Sequence, residues 1–201
     1  MKLKGQLQWT DYLNSTLLHM QPGRLSKIVL YGELLLVGCA FIGGFYLLVI
    51  GRLERPISFF LPLIIFLGIY PLYRYLLLPN RVKKIFSQQK DLSSPFEMEF
   101  TDTALVASNE FGNSNRPWGN FIKWKENDDL LILYHSDILY TIIPKRIFTA
   151  PEQVEKVKAF LEKSNVPAAK NSSIAGSAAF FILLIAIIWV IIYTLASIIL
   201  R

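Results

Sequence analysis

The chain has 201 residues, of which 53% are hydrophobic, and its formal net charge is +6 at neutral pH. This length accommodates a few membrane spans and one small domain, and it excludes a second globular domain. The single cysteine, Cys39, excludes a disulfide or a thiolate metal cluster within one chain.

The first 27 residues lack the long apolar core of a cleaved signal sequence. Among them, Leu13, Leu17 and Met20 recur at helical spacing, and Trp9 precedes them. A tryptophan ring favours the headgroup level of a membrane. The pattern favours an interfacial amphipathic helix over a poorly ordered lead-in, so residues 1–27 are interpreted as an interfacial segment.

Three apolar runs, at residues 28–50, 57–78 and 174–200, each reach the roughly 20 residues that a bilayer span requires. A short connection joins the first two, which predict an antiparallel transmembrane hairpin over residues 28–78. The third run predicts another transmembrane helix, which a tether precedes, over residues 168–201.

Basic residues near the ends of these runs predict the orientation of the chain. They concentrate before the first run and after the second, whereas the connection between the two has only Arg52 and Arg55. The positive-inside rule then places the N-terminus and residues 79–173 in the cytoplasm and the C-terminus on the opposite side. The sequence therefore predicts a multi-pass integral membrane protein.

The polar stretch between the second and third runs is almost neutral. Residues 79–173 contain thirteen Lys or Arg against twelve Asp or Glu, so the basic excess of the chain flanks the apolar runs. A nucleic-acid-binding protein concentrates its basic residues on one folded face. This distribution argues against nucleic acid as a partner and predicts contact with membrane lipids.

The same polar stretch predicts a small cytoplasmic β-rich domain over residues 79–167. Phe96, Met98 and Phe100 alternate with polar residues, which is the period of a half-buried strand. A basic helical neck precedes this strand. The other segments with strand character are residues 103–108, 118–126, 130–134 and 138–143, and residues 109–115 are predicted to form a loop.

An amphipathic helix is predicted to follow the strands. Thr149 and Glu152 have the spacing of a capping box, and Pro151 suits an early helical position. Apolar residues at helical spacing then form one stripe of the helix. The predicted fold class is therefore membrane α+β, with a transmembrane hairpin, a small antiparallel sheet closed by one C-terminal helix, and a third transmembrane helix.

The segments around Trp118, Leu131–Tyr134 and Ile142–Phe148 resemble the YcxB-like family of bacterial membrane proteins. The Pro-Lys-Arg stretch inside the last segment is the most specific part. The resemblance covers roughly residues 28–163 and implies a transmembrane hairpin, a β-rich domain and a final amphipathic helix. It implies no enzymatic activity. The order of sheet and helix also looks like a pleckstrin-homology-like (PH-like) domain, which is a fold analogy.

Basic residues on both sides of the predicted strands are candidates for contact with anionic lipid headgroups: Arg81, Lys83, Lys84, Lys145 and Arg146. Each basic residue near an anionic leaflet contributes on the order of 1 kcal/mol to binding. The alternative for Lys145 and Arg146 is that these charges only solvate the turn after a strand that Pro144 ends.

Small residues in the first span are candidates for helix packing. Ala40 and Gly44 form a small-xxx-small pair, with Gly38 and Gly43 nearby. They would let a helix of the hairpin or of a partner approach closely, or they are ordinary residues of a span. Glu33 lies near the start of the same span, where a carboxylate reaches the interface or pairs with a cation; at mid-bilayer it would indicate function.

The polar stretch before Trp118 is the candidate binding loop, because loops of this composition often carry contacts. Its candidate residues are Asn113, Asn115 and Arg116. Trp118 itself is interpreted as an anchor of the domain core.

The sequence has no catalytic or metal-binding constellation. His19 and His135 have no companions at ligand spacing, and no P-loop, GxGxxG or G-x-S-x-G motif occurs. No nucleophile and base stand in a recognisable arrangement either. We therefore expect no enzymatic activity, no metal and no cofactor.

Together these patterns predict a non-enzymatic membrane protein that acts by binding. It would serve as an accessory subunit, assembly factor or regulator of a larger membrane complex. Its partner would be another membrane protein or a second copy of the chain. The alternative function is that of a lipid-binding or membrane-organising module that recognises anionic headgroups.

Overall fold

The computed structural model describes residues 1–21, 24–53 and 56–169. These residues form two units. The first, called the domain, comprises residues 1–19 and 79–169, and the second, called the helical unit, comprises the described residues between 20 and 78. The predicted third span and most of its tether lie outside the described residues.

The domain contains two antiparallel sheets in place of the single sheet that the sequence predicts. The four-stranded sheet has the order β1 (Lys2–Gln6), β2 (Pro95–Phe100), β3 (Ala104–Asn109) and β4 (Gly112–Pro117). The three-stranded sheet has the order β5 (Lys123–Glu126), β6 (Leu130–Tyr134) and β7 (Tyr140–Pro144).

Six helices accompany these strands in the described part of the chain. In the helical unit they are α2 (Arg24–Val49) and α3 (Pro56–Leu72), and a π-helical segment, Tyr73–Leu77, follows α3. In and around the domain they are α1 (Trp9–His19), α4 (Leu78–Gln88), α5 (Lys90–Ser93) and α6 (Pro151–Lys163).

The N-terminal segment is part of the domain. Residues 1–27 are predicted to be an interfacial segment with an amphipathic helix; the structure has the helix α1 there, preceded by the strand β1, which the sequence does not predict. Leu3 points into the core, and Lys2 and Lys4 form ion pairs of 3.4 Å with Glu99 and Glu97 of β2. These cross-strand pairs accompany the register of β1, in which Leu3 faces the core, and their acidic partners lie more than ninety residues away in the sequence.

The main core lies between the two sheets. It contains Phe100 and Leu105 from the four-stranded sheet, Leu131 and Leu133 from β6, and Leu161 from α6. These residues occupy alternate positions of each strand, as one buried face of a sheet requires. The C-terminal helix therefore closes the space between the sheets, as the sequence predicts.

The three-stranded sheet is covered on its other face as well. Leu130, Ile132 and Tyr134 of β6 form a second cluster with Leu18 of α1. Every residue of β6 is consequently buried. A strand buried on both faces is a continuous apolar run, which explains why Leu130–Tyr134 is easily recognised in the sequence.

The predicted loop at residues 109–115 is wrong, because most of it belongs to β4. A tight turn precedes β4, in which the Asn109 side-chain oxygen accepts hydrogen bonds from the backbone N–H groups of Phe111 and Gly112, both at 3.0 Å. The predicted strand at residues 118–126 is shorter than expected. It begins with a 3-10 turn, Trp118–Asn120, and only Lys123–Glu126 is extended.

The start of α6 also differs from the prediction. The residue before the helix is Ala150, and no side chain caps it. The Gln153 side-chain oxygen instead accepts a hydrogen bond of 3.0 Å from the Thr149 backbone N–H. Thr149 and Glu152 therefore do not form the predicted capping box, although the helix itself is confirmed.

The helical unit contains apolar helices. The continuous helix Pro56–Gln88, of 33 residues, is long and apolar enough to cross a membrane by length and composition. A shorter apolar stretch, Leu34–Val49, belongs to α2. The helices α2 and α3 pack through a small cluster of Val37, Leu53, Phe59 and Leu63.

Candidate functional site

A groove of about 580 Å³ opens in the domain between the tips of the β3–β4 and β6–β7 hairpins. We call it the hairpin groove. The beginning of α1 and the short helix α5 complete its walls. A concave surface of this size with apolar walls is typical of binding sites in proteins.

The hairpin groove exists because small residues leave the inner face of the sheet unfilled at this end. Ala107 of β3 and its register partner Ser114 of β4 occupy inner positions, where Leu105 and Phe100 fill the other end of the same face. Phe96 and Met98 of β2 lie beside the unfilled space and line it. The two sheets therefore enclose a groove at the hairpin tips instead of packing together.

Three large apolar side chains at the hairpin tips are exposed to solvent. Phe111 is 57% exposed, Ile138 is 76% exposed and Leu139 is 63% exposed, and all three line the groove. Asp91 is the only charged residue among the described residues that line it. The groove therefore suits an uncharged, apolar ligand, whose binding would remove these side chains from water.

The free edge of β4 runs along the same end of the domain. The Trp118 backbone N–H donates a hydrogen bond of 3.1 Å to the Thr103 carbonyl, so these two residues form a hydrogen-bonded pair of β3 and β4. Hydrogen-bonded and non-hydrogen-bonded pairs alternate along the two strands from this point. The backbone groups of Ser114 therefore face β3, and those of Asn113 and Asn115 face away from it. An edge strand with outward N–H and C=O groups can pair with an extended peptide.

The predicted binding residues are divided by this geometry. Asn113 lines the hairpin groove, and Asn115 lies on the outer edge of the same strand. Arg116 is not among the lining residues, and its Nη1 lies 3.4 Å from Nδ1 of His135. The sequence does not reveal the apolar rim, because isolated apolar residues such as Ile138 have no spacing that marks them as parts of one surface.

Two of the five predicted lipid-contact residues are in ion pairs within the domain. Lys145 lies 3.1 Å from Glu126, which also pairs with Lys158 at 3.2 Å. Burial alone would raise the pKa of Glu126, but the hydrogen bonds from Lys145 and Lys158 outweigh that effect and lower it. This network joins the end of β5 to α6.

Arg146 forms the second of these ion pairs, with the buried carboxylate of Asp11 in α1. Its guanidinium donates to both carboxylate oxygens and, at 3.0 Å, to the Gln6 carbonyl. The hydrogen bond with Asp11 raises the pKa of Arg146. The pair fixes the N-terminal segment on the domain, and lipid contact by Lys145 and Arg146 stays a prediction.

The other three predicted cations lie on the exposed side of α4. Arg81, Lys83 and Lys84 are exposed, and none of them has an ion pair with another described residue. The ammonium group of Lys83 lies 5.8 Å from the centroid of the Trp9 ring, a cation–π distance. These cations are available to an anion outside the domain.

The predicted packing residues of the first span also separate into two groups. At Gly44 an added Cβ would collide with the ring of Phe59, so this glycine permits the close approach of α2 and α3. Ala40 packs against the same cluster. Added Cβ atoms at Gly38 and Gly43 would meet nothing within 4 Å. Glu33 lies in α2, and its side chain is outside the described part.

A polar cluster that no sequence pattern predicts lies where α1 ends. Nδ1 of His19 is 3.0 Å from the Tyr134 hydroxyl, and the buried Lys125 ammonium donates to the His19 carbonyl at 3.4 Å. Burial, followed by the charges of Lys125 and Lys123, lowers the pKa of His19. Across residues 1–21, 24–53 and 56–169, no group of three or more His, Cys, Asp or Glu residues could hold a metal ion.

The geometry described so far defines a small two-sheet domain with an apolar-rimmed groove, closed by a C-terminal helix. Residues 100–161, from the end of β2 to α6, match the family model described as YcxB-like protein. Over these residues the chain is similar to YcxB-like proteins, and the resemblance at Trp118 and Ile142–Phe148 is confirmed within the matched range. Comparisons with curated proteins and with solved structures gave no match.

Proposed function

We propose that this protein is a non-enzymatic accessory component of a larger membrane complex, as a subunit, assembly factor or regulator. Its domain would bind an extended, uncharged segment of a partner membrane protein in the hairpin groove. The observation that carries this proposal is the exposed apolar rim of Phe111, Ile138 and Leu139. An apolar rim around a groove is typical of an interaction site.

The geometry of the groove favours an extended segment as the occupant. The outward backbone groups of Asn113 and Asn115 offer hydrogen bonds to an added strand, and the rim offers apolar contacts to its side chains. Backbone pairing supplies affinity in such complexes, whereas pockets for alternate side chains supply specificity. The nearly uncharged lining disfavours a strongly acidic segment, because Asp91 would repel it.

Membrane anchoring of the chain is supported by two observations. Many large apolar side chains of α2 and α3 are exposed, Ile42 and Ile57 among the most exposed, and such surfaces require lipid or protein cover. In addition, β1 pairs with β2, so both ends of residues 20–78 lead into one domain. If that segment spans a membrane, it crosses an even number of times, as a hairpin does.

The remaining details of the topology extend this proposal. The positive-inside rule favours the cytoplasm for the domain, and the apolar run at residues 174–200 would add a third span that ends on the opposite side. The four-stranded and three-stranded sheets followed by one helix also support the PH-like analogy. Partner helices would then cover much of the exposed apolar surface of the spans.

The test is purification of the full chain in a mild detergent, with identification of the membrane proteins that accompany it. We expect a specific partner, or a second copy of the chain, to accompany the wild type. The triple variant F111S/I138S/L139S should lose that partner, because it removes the apolar rim. The matched control is I122S, since Ile122 is an exposed apolar residue of the domain that does not line the groove.

Two results would contradict the proposal. One is recovery of the wild type only as a monomer with no accompanying membrane protein. The other is retention of the partner by the triple variant to the same degree as by I122S. Thermal unfolding of each variant distinguishes a lost contact from a lost fold.

A second candidate function is recognition of anionic lipid headgroups. Three exposed cations without an ion pair among the described residues favour it: Arg81, Lys83 and Lys84. Such recognition is compatible with an accessory role, because it would orient the domain at the membrane while the groove binds a partner.

A further inference from the structure

We infer that the exposed side of α4 and the neighbouring ring of Trp9 form one binding surface for anionic lipid headgroups. We call this surface the cationic face, and it consists of Trp9, Arg81, Lys83 and Lys84. Lys145 and Arg146 do not belong to it. The inference rests on the membrane anchoring proposed above, and it does not require a partner in the hairpin groove.

The helical spacing of α4 separates its cations from its apolar residues. Successive residues of an α-helix are rotated by about 100°. Val82 is buried, and Ile85 and Phe86, which lie near it on the helix surface, are half-buried. Lys84 then lies opposite this buried side, with Arg81 and Lys83 on its flanks. The three cations thus share one exposed arc of the helix.

The ion pairs of the domain decide which cations are free to bind lipid. Lys145 has Glu126 as its partner, and Arg146 has Asp11. A lipid phosphate would have to replace a carboxylate that already neutralises each of these cations, so little binding energy would remain. The cations of the exposed arc have no such partner among the residues that the structure describes, so a phosphate would meet no competitor there.

Trp9 supplies the second half of the surface. It is 37% exposed, and the Lys83 ammonium lies 5.8 Å from the centroid of its ring. The Tyr12 and Phe86 rings, 6.5 Å apart, hold α1 against α4 at this point. An indole combines an apolar ring with an N–H donor, so it suits the boundary between headgroups and acyl chains.

The position of α4 in the chain favours a membrane over other polyanions. Arg81 lies three residues after Leu78 in the continuous helix Pro56–Gln88. The apolar part of that helix ends just before Arg81. At 1.5 Å per residue, all three cations lie within about 10 Å of Leu78 along the helix axis. If the apolar stretch spans the bilayer, this distance brings the cations to the depth of the lipid phosphates.

The experiment measures the distance between the cationic face and the headgroups in the full chain. A single cysteine, Ser87→Cys in a Cys39→Ala background, carries a fluorophore next to the face. Ser87 is exposed, and its hydroxyl donates only to the Lys84 carbonyl, so the change is mild. The labelled protein is reconstituted in a series of nanodiscs, from phosphatidylcholine alone to equal parts phosphatidylcholine and phosphatidylglycerol, each with a headgroup-spin-labelled lipid as quencher.

We expect stronger quenching in the anionic nanodiscs, and loss of the difference at high salt, because salt screens the attraction. The variant R81Q/K83Q/K84Q should raise severalfold the anionic-lipid fraction that half-maximal quenching requires. W9S should raise this anionic-lipid fraction less than the triple variant does, because it removes no charge. K145Q should leave that fraction unchanged, because Lys145 lies outside the cationic face and Glu126 keeps its ion pair with Lys158.

The matched control is K90Q/K156Q/K163Q, which removes the same charge from exposed positions outside the cationic face that have no ion pair among the described residues. An equal effect of this control would mean that net charge alone matters, and it would overturn the inference. Quenching that is independent of the anionic-lipid fraction would also overturn it. Loss of the partner in detergent bears only on the proposed function, so the two failures are distinguishable.

Discussion

The two ends of the domain use the same strands but differ in how the space between the sheets is filled. At the closed end, Trp118 stacks against Phe100 and Phe160, with ring centroids 6.4 and 5.7 Å away. At the open end, Ala107 and Ser114 leave the hairpin groove between the sheets. Large side chains at one end supply stability, so small side chains at the other end can leave an open groove without unfolding the domain.

The basic residues also divide into two groups, one held in ion pairs within the domain and one without them. Lys145 and Arg146, near the start of α6, are held by carboxylates of other elements. Arg81 and Lys84 on α4 have no ion pair among the described residues and face solvent. Basic side chains of one small domain are therefore of two kinds: those held by a carboxylate within the domain, and those left exposed for an anion outside it.

The largest expected difference between the two ends is in core packing. Trp118 is 1% exposed and donates a hydrogen bond of 2.9 Å to the Thr101 carbonyl. Trp118→Ala should lower the free energy of unfolding by about 3–5 kcal/mol, because it creates a cavity and leaves a carbonyl without its donor. Phe111→Ala at the open end should change it by less than about 0.5 kcal/mol. Denaturant unfolding followed by far-ultraviolet circular dichroism measures both, and equal losses would refute the division.

The next two variants each remove one backbone N–H of β4, either on the side that faces β3 or on the outer side. Ser114→Pro removes an N–H that faces β3, so it should cost about 2 kcal/mol or more. Asn115→Pro removes an N–H that faces outward, where proline is tolerated, and should cost less than about 1 kcal/mol. If an extended partner pairs with β4, Asn115→Pro should still weaken its retention. A stable Ser114→Pro protein and an unfolded Asn115→Pro protein would reverse the assigned alternation.

A smaller effect is expected for the cations. Arg146→Gln leaves the buried Asp11 carboxylate without its charge partner, so it should cost about 2 kcal/mol. This figure lies below that of fully buried pairs because the Arg146 side chain is 43% exposed. Lys84→Gln should stay within about 0.5 kcal/mol. Thermal unfolding of the two single variants tests the contrast, and a Lys84→Gln protein as unstable as Arg146→Gln would show that α4 uses its charge structurally.

The smallest expected effect is a dependence on pH. Burial lowers the pKa of His19, and it lowers that of His135 as well, with the nearby charge of Arg116 adding to it. Because the folded state disfavours the protonated rings, the unfolded state binds more protons. Stability should therefore be complete above the ordinary histidine pKa of about 6.5 and fall as the pH drops through the lower folded values.

The control for this pH dependence is H19Q/H135Q. Between neutral pH and the onset of carboxylate titration, its unfolding temperature should change less with pH than that of the wild type. An identical pH profile in the two proteins would assign the dependence to other groups.

The predictability of each strand from the sequence follows its burial. In β2 the apolar residues Phe96, Met98 and Phe100 alternate with polar ones, which predicts a strand, and the continuous apolar run of β6 is equally clear. The strand β4 gives no such signal, because Gly112 and Ser114 on its inner face line the unfilled groove instead of the core. The feature that creates the groove is thus the same one that hides the strand.

The candidate site was predictable only as a set of residue types. The sequence shows that Arg146 and Lys84 are basic, but the partner of Arg146 is 135 positions away, and no local pattern connects them. The rim of the groove is equally non-local, since Phe111 and Ile138 belong to different hairpins. Proximity across the fold, and not residue type, separates structural from available side chains.

The pairing of β1 with β2 has a consequence for the order in which the protein is made. Gly5 lies opposite Phe96, so the first strand emerges from the ribosome about ninety residues before its neighbour. At 5–20 residues per second, it waits roughly 5 to 20 seconds, while the apolar helices are synthesised. The four-stranded sheet can close only after residues 20–78 have been synthesised and β2 has followed them. Under the topology proposed above, completion of the sheet would therefore depend on correct insertion, because a chain that crossed an odd number of times would be left with an open strand edge.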